Sequence, residues 1–158
     1  MTTPAGAPPT QWDPALLELY RTSFLGLVRL AVLVGADRSV AEELVQDAFV
    51  ASHRTWDGVR DPLAYVRRAV VNRCHSWGRR QTLERDRRPA PAPDAGLGAD
   101  ELWDALATLP DRQRTAIVAR FYLDLPDPDI ADLLGCRLGT VRTTIHRGLA
   151  TLRKEIPR

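Results

Sequence analysis

The chain has 158 residues, 44% of them hydrophobic, with 22 basic against 20 acidic side chains and a net charge of +2. That composition excludes a chain disordered throughout and permits one ordinary domain or two small ones. The total charge names no partner, but residues 1–59 sum to −3, 60–88 to +6, 89–129 to −5 and 130–158 to +4, so a negative block separates two positive ones.

Residues 1–11 open on a Pro, Ala and Thr tail with nothing to pack and are expected to be disordered. From Asp13-Pro14, Leu16, Tyr20, Phe24, Leu27 and Ala31 recur at spacings of four and three, which predicts a helix with one buried stripe ending at Gly35. Ser39-Val40-Ala41-Glu42 reads as a capping box, and Leu44, Val45, Ala48 and Phe49 continue it into a second helix reaching about Trp56. Gly58 breaks that helix. The longest apolar run, Phe24–Ala36, is interrupted by Arg29 and is far short of the ~20 residues a membrane span needs. No charged segment followed by an apolar one opens the chain, so no secretory signal is expected and a reducing cytoplasm is the default. Cys74 and Cys136 have neither metal-site nor disulfide-framework spacing.

A third helix is predicted from Asp61-Pro62, with Asp as cap and Pro at the first helical position. Leu63, Val66, Val70, Cys74 and Trp77 form its buried face, and Gly78 is a point where helicity could end. The opposite stripe carries Tyr65, Arg68, Asn72, Ser76 and Arg79, with Arg80, Arg85, Arg87 and Arg88 beyond. An aromatic ring among guanidiniums suits unpaired nucleic acid, because bases stack on the ring while arginine holds the backbone. The competing reading is a solvated face running into a charged linker.

Residues 86–99 change to alternating Pro and Ala without apolar periodicity, which reads as a flexible linker. Leu102, Leu106 and Leu109 then mark a short helix stopped by Pro110, and another is expected from about Asp111 to Tyr122. In Asp127–Arg153, Asp127 is placed to cap a helix that Pro128 begins, with Ile130, Leu133 and Leu134 buried and Gly135 at a tight turn. Ala131 lies four residues before that glycine and Val141 six after it, the spacing of a helix-turn-helix. On the second helix Val141, Ile145, Leu149 and Leu152 share one face, leaving Arg142, Thr143, His146, Arg147 and Arg153 to point away, where they can reach phosphates and base edges. A solvated basic face on an ordinary helical hairpin is the competing reading. Arg137 stands where a capping Ser, Thr, Asn or Asp is expected.

The fold class is therefore all-α, with two small helical pieces, 12–85 and 100–158. His53, His75 and His146 lie far apart and no phosphate-binding glycine loop or HExxH occurs, so no catalytic, cofactor or metal constellation can be assembled. The reading is not an enzyme.

The motifs AEELVQDAFVASHRTW, DPLAYVRRAVVNRCHSWGRR and LATLPDRQRTAIVARFYLDL, followed by the helix-turn-helix, together resemble a bacterial RNA polymerase sigma factor of the extracytoplasmic-function type, in its actinobacterial SigE-like subgroup. The resemblance implies a sigma-2-like domain that binds core polymerase and the minus-10 element, and a sigma-4-like domain that binds the minus-35 element. By position it assigns Glu43, Gln46 and Asp47 to core polymerase. Tyr65, Arg68, Asn72, Ser76, Trp77, Arg79 and Arg80 fall to the melted minus-10 strand, and Arg142, Thr143, His146 and Arg147 to the minus-35 duplex. An anti-sigma factor is a further partner such proteins can have. Asp127-Pro128-Asp129, Arg137 and Thr144 depart from the family pattern, where an aromatic and Glu, a small cap and a basic residue are common. The rival function is a stand-alone helix-turn-helix regulator of duplex DNA, which explains the C-terminal half but not Tyr65–Arg88.

Overall fold

The computed structural model describes residues 12–56, 59–85 and 101–156. The expected tail 1–11, the linker 86–99, the break at Gly58, and Arg87 and Arg88 lie outside the described residues. Among the described residues all regular structure is helical: α1 (Pro14–Leu33), α2 (Arg38–Arg54), α3 (Pro62–Arg85), α4 (Glu101–Ala107), α5 (Asp111–Phe121), α6 (Asp127–Leu134) and α7 (Leu138–Glu155). The chain divides into two compact units, 1–74 and 75–158, and the division falls inside α3, so residues 75–85 belong with the second unit.

In the first unit, α1 packs against α2. The expected stripe is buried at Leu16, Tyr20, Leu27 and Ala31, joined by Leu30, while Phe24 is half-buried with its ring 4.8 Å from Tyr20. Asp13 caps α1 by accepting from Ala15 N–H at 2.8 Å. On α2, Ala41, Leu44, Val45, Ala48 and Phe49 are buried. Fully burying a side chain such as Phe49 or Leu16 contributes roughly 1.5–3 kcal/mol, so this face fixes how α2 sits on α1. Trp12, ahead of the first helix and outside any periodicity, is buried and stacks on Phe49 and His53.

The capping box does not form. α2 begins at Arg38, one residue before Ser39, with Asp37 in the cap position and no side-chain cap hydrogen bond. The cause is the tight exit from α1: Gly35 has φ 120°, and Ala36 N–H returns to Ala31 O, which leaves Asp37 O to accept from Val40 and Ala41. Nor does Gly78 end α3, which continues to Arg85. A mid-helix glycine costs only ~1 kcal/mol, within what a long helix tolerates.

In the second unit, α5 packs against α6 and α7. Its core joins Ala105, Leu106, Leu109, Ile117 and Leu152, with Leu149 and Ile156 against them; Leu102 lies outside the described side chains. Six consecutive residues of α5, Arg114–Ala119, are buried, so this helix is covered on every side and not on one stripe. Gly148 makes the α5–α7 approach possible: a Cβ there would lie 2.5 Å from Ile117 Cδ1. Gly148→Leu is expected to destabilise the protein by about 1–3 kcal/mol, read as a lower urea midpoint, because the helix-propensity gain is smaller than the overpacking.

Candidate nucleic-acid interface

The turn before α7 is built by Gly135, left-handed at φ 64° and ψ 41°, with Cys136 N–H returning to Ala131 O at 3.0 Å. Only a residue without Cβ strain takes that conformation readily, so the turn is sharp and α7 starts within three residues of it. Val141, Ile145 and Leu152 are buried, as the periodicity predicts. Arg142, Thr143, His146 and Arg147 are all exposed on the other side, and Arg153 and Lys154 extend the positive charge to the helix end. The structure therefore brings the four α7 candidates together on one solvent-facing surface. Thr143 Oγ1 donates to Gly139 O, which fixes its rotamer, and Thr144 is half-buried. Arg137 holds the cap position in extended conformation without a side-chain cap bond.

Asp127 is not the cap expected from sequence. α6 begins at Asp127 itself, with Pro126 in the cap position. Its carboxylate instead forms an ion pair with Arg120 Nη2 and stands 3.5 Å from Arg142 Nε. No periodicity could find this arrangement, because the partners come from three helices.

On α3, Val66, Val70, Val71 and Cys74 are buried and Leu63 and Trp77 half-buried. Burial pushes the Cys74 thiol up to about 12, so it is an inert core residue. In the first unit Tyr65, Arg68 and Asn72 are exposed; Tyr65 retains 39% of its surface, and its hydroxyl is 2.5 Å from Thr55 Oγ1 at the end of α2. That tether fixes the ring's position. Within the second unit, Arg79 and Arg80 are exposed and Arg79 donates to the half-buried Ser76 Oγ at 3.1 Å.

The α2 candidates divide. Glu43 and Asp47 are exposed, whereas Gln46 is half-buried and hydrogen-bonds the Tyr20 hydroxyl. The phenol's pKa is raised by burial, with the Gln46 bond opposing and Glu42 adding to the shift. Gln46 thus has a packing role that its helical position did not reveal.

His75 Nε2 lies 2.8 Å from the hydroxyl of buried Thr115 on α5. Burial lowers the imidazole pKa from 6.5, Asp111 opposes the shift, and Arg79 and Arg112 add to it. A histidine held neutral contributes stability above the unfolded value of about 6.5, and that contribution is lost as pH falls below it through the lower folded value. Thermal unfolding at about pH 7.5 and about pH 5 should therefore show a larger drop for the natural protein than for His75→Gln.

The family model described as Sigma-70, region 4 matches residues 99–152. The RNA polymerase sigma-E factor of Streptomyces avermitilis is 35% identical over 150 residues, covering 88% of this chain and 83% of that one. The ECF RNA polymerase sigma factor SigM of Mycobacterium tuberculosis is 31% identical over 152 residues, covering 85% and 74%. Among solved structures, the sigma factor RpoE of Bartonella quintana, crystallised with the anti-sigma factor NepR, shares the fold at a TM-score of 0.70 and 23% identity, over 87% of this chain and 93% of that one.

Proposed function

Since the chain belongs to the RNA polymerase sigma factors of the extracytoplasmic-function type, we propose that it binds core polymerase through α2, engages the melted minus-10 strand through α3 and reads the minus-35 duplex through α7. The observation that carries the division of labour is the exposed quartet Arg142, Thr143, His146 and Arg147, set opposite a fully apolar stripe on a helix-turn-helix. Arginine there reaches guanine or phosphate, and the hydroxyl and imidazole add shorter polar contacts. The exposed Tyr65, Arg68 and Asn72 support an unpaired-strand role, since a tethered ring offers a stacking surface at little entropic cost. In this reading a sigma-2-like domain spans 12–85 and a sigma-4-like domain 100–158, joined through 86–99, and the protein acts in the cytoplasm at the nucleoid. An anti-sigma factor is a proposed partner class on family grounds alone, with no residue assigned to it.

The test is run-off transcription by Streptomyces core polymerase on a promoter library. Defined starts that require the purified protein are expected. Absence of such starts, together with specific dimeric binding of the isolated chain to duplex DNA, would replace the reading with that of a stand-alone regulator.

A further inference from the structure

We propose that Asp127 is a positioning residue for Arg142 and thereby helps determine which upstream element the protein prefers; the inference rests on the sigma-factor reading above. Asp127 is the first residue of α6, fifteen positions before Arg142. Its carboxylate is spent on neither capping nor solvent. The side chain retains 20% of its surface against 73% for Arg142, and Arg120, reaching over from α5, holds one carboxylate oxygen. The other oxygen faces Arg142 Nε at 3.5 Å.

The consequence follows from the shape of a guanidinium. With Nε directed to Asp127, the two terminal nitrogens of Arg142 are left to face outward, which is the end-on geometry for two parallel bonds to guanine O6 and N7. Without the carboxylate, Arg142 is a long exposed cation with many rotamers and can settle on any phosphate. Asp127 therefore converts a general phosphate contact into a directed one. Two guanidiniums share one carboxylate, so the trio keeps a net positive charge and still attracts DNA. An ion pair this exposed on one side adds little to stability, and its effect falls on orientation. Position 127 also lies in the first turn of α6, where the helix dipole favours a carboxylate.

The experiment uses full-length protein with core polymerase on a library randomised in the upstream element, with transcripts sequenced. The natural protein is expected to show a base preference at the position Arg142 reads. Asp127→Ala should reduce that preference roughly tenfold, as Arg142→Ala does, while binding of the free chain to random duplex at low salt stays the same or rises, because a negative charge near the phosphates is gone. The double variant Asp127→Ala with Arg142→Ala should match Arg142→Ala alone, since one residue acts through the other. Asp127→Asn, which keeps the shape and an acceptor, should retain part of the preference and guards against a folding artefact. An unchanged preference in Asp127→Ala, or equal and additive losses in the double variant, would overturn the inference while leaving the sigma-factor reading intact. Failure of the natural protein to initiate anywhere would remove both.

Discussion

Glu43→Lys combined with Asp47→Lys is expected to abolish co-purification with core polymerase while leaving helical content unchanged. Both carboxylates are exposed, four residues apart on α2, and the opposite face of that helix is fully occupied by Ala41, Leu44, Val45, Ala48 and Phe49. Substitutions on such a surface usually change stability by less than about 0.5 kcal/mol, so loss of binding would not reflect unfolding. Replacing two acids by two bases inverts the sign of the patch, and removing one partner of an interfacial charge pair typically costs about 2–5 kcal/mol. Even the lower figure weakens binding roughly thirtyfold. Gln46 is deliberately left in place. Because it hydrogen-bonds Tyr20 in the core, Gln46→Ala is expected to cost about 1 kcal/mol of stability and would blur the comparison. Normal co-purification of the double-lysine variant, with an unaltered circular dichroism spectrum, would place the polymerase contact elsewhere.

The features that sequence made legible share a cause. α1, α2, α3 and α7 each bury one stripe, and a 3.6-residue period writes that stripe directly into the order of Leu, Val, Ile and Phe. Exposure of Arg142, Thr143, His146 and Arg147 followed from the same period. What the period specifies is a face, and it says nothing of the partner opposite. Hence Asp127 looked like a cap, its local neighbourhood being Pro126 and Pro128, whereas the groups that claim its carboxylate arrive from α5 and α7. Gln46 and Tyr65 were similarly legible as surface positions, but their bonds to Tyr20 and Thr55 depend on the crossing of separate helices. α5 was the least readable helix, because burial on all sides erases the stripe from which orientation is inferred. Gly148 belongs with it. In sequence it is a helix-weakening glycine; in the fold it is where Ile117 fits.

A second large effect is expected to separate the two proposed nucleic-acid surfaces. Tyr65→Ala and Asn72→Ala should leave upstream duplex binding near normal and reduce open-complex formation, whereas Arg147→Ala should weaken the upstream contact itself. An exposed phenol ring offers a stacking face, which every base can use only once it is unpaired, and stacking is worth about 1–3 kcal/mol per base. That corresponds to roughly a five- to hundredfold loss of the open form. Arg147 presents a guanidinium on the exposed face of α7, one turn beyond Thr143, and in the proposed function it is the group that meets an intact duplex. Tyr65 allows a finer distinction because its hydroxyl is already bonded to Thr55. Tyr65→Phe keeps the ring and loses the tether, so it should fall between the natural protein and Tyr65→Ala if placement of the ring matters, and should equal the natural protein if the ring alone suffices. A promoter supplied already melted should restore whatever part of each defect lies in opening, and leave whatever part lies in holding the unpaired strand. Permanganate footprinting beside a duplex-binding assay reads both quantities on the same complexes. Equal proportional loss of binding and melting in the Tyr65→Ala, Asn72→Ala and Arg147→Ala variants would mean that α3 and α7 do not divide the work as proposed.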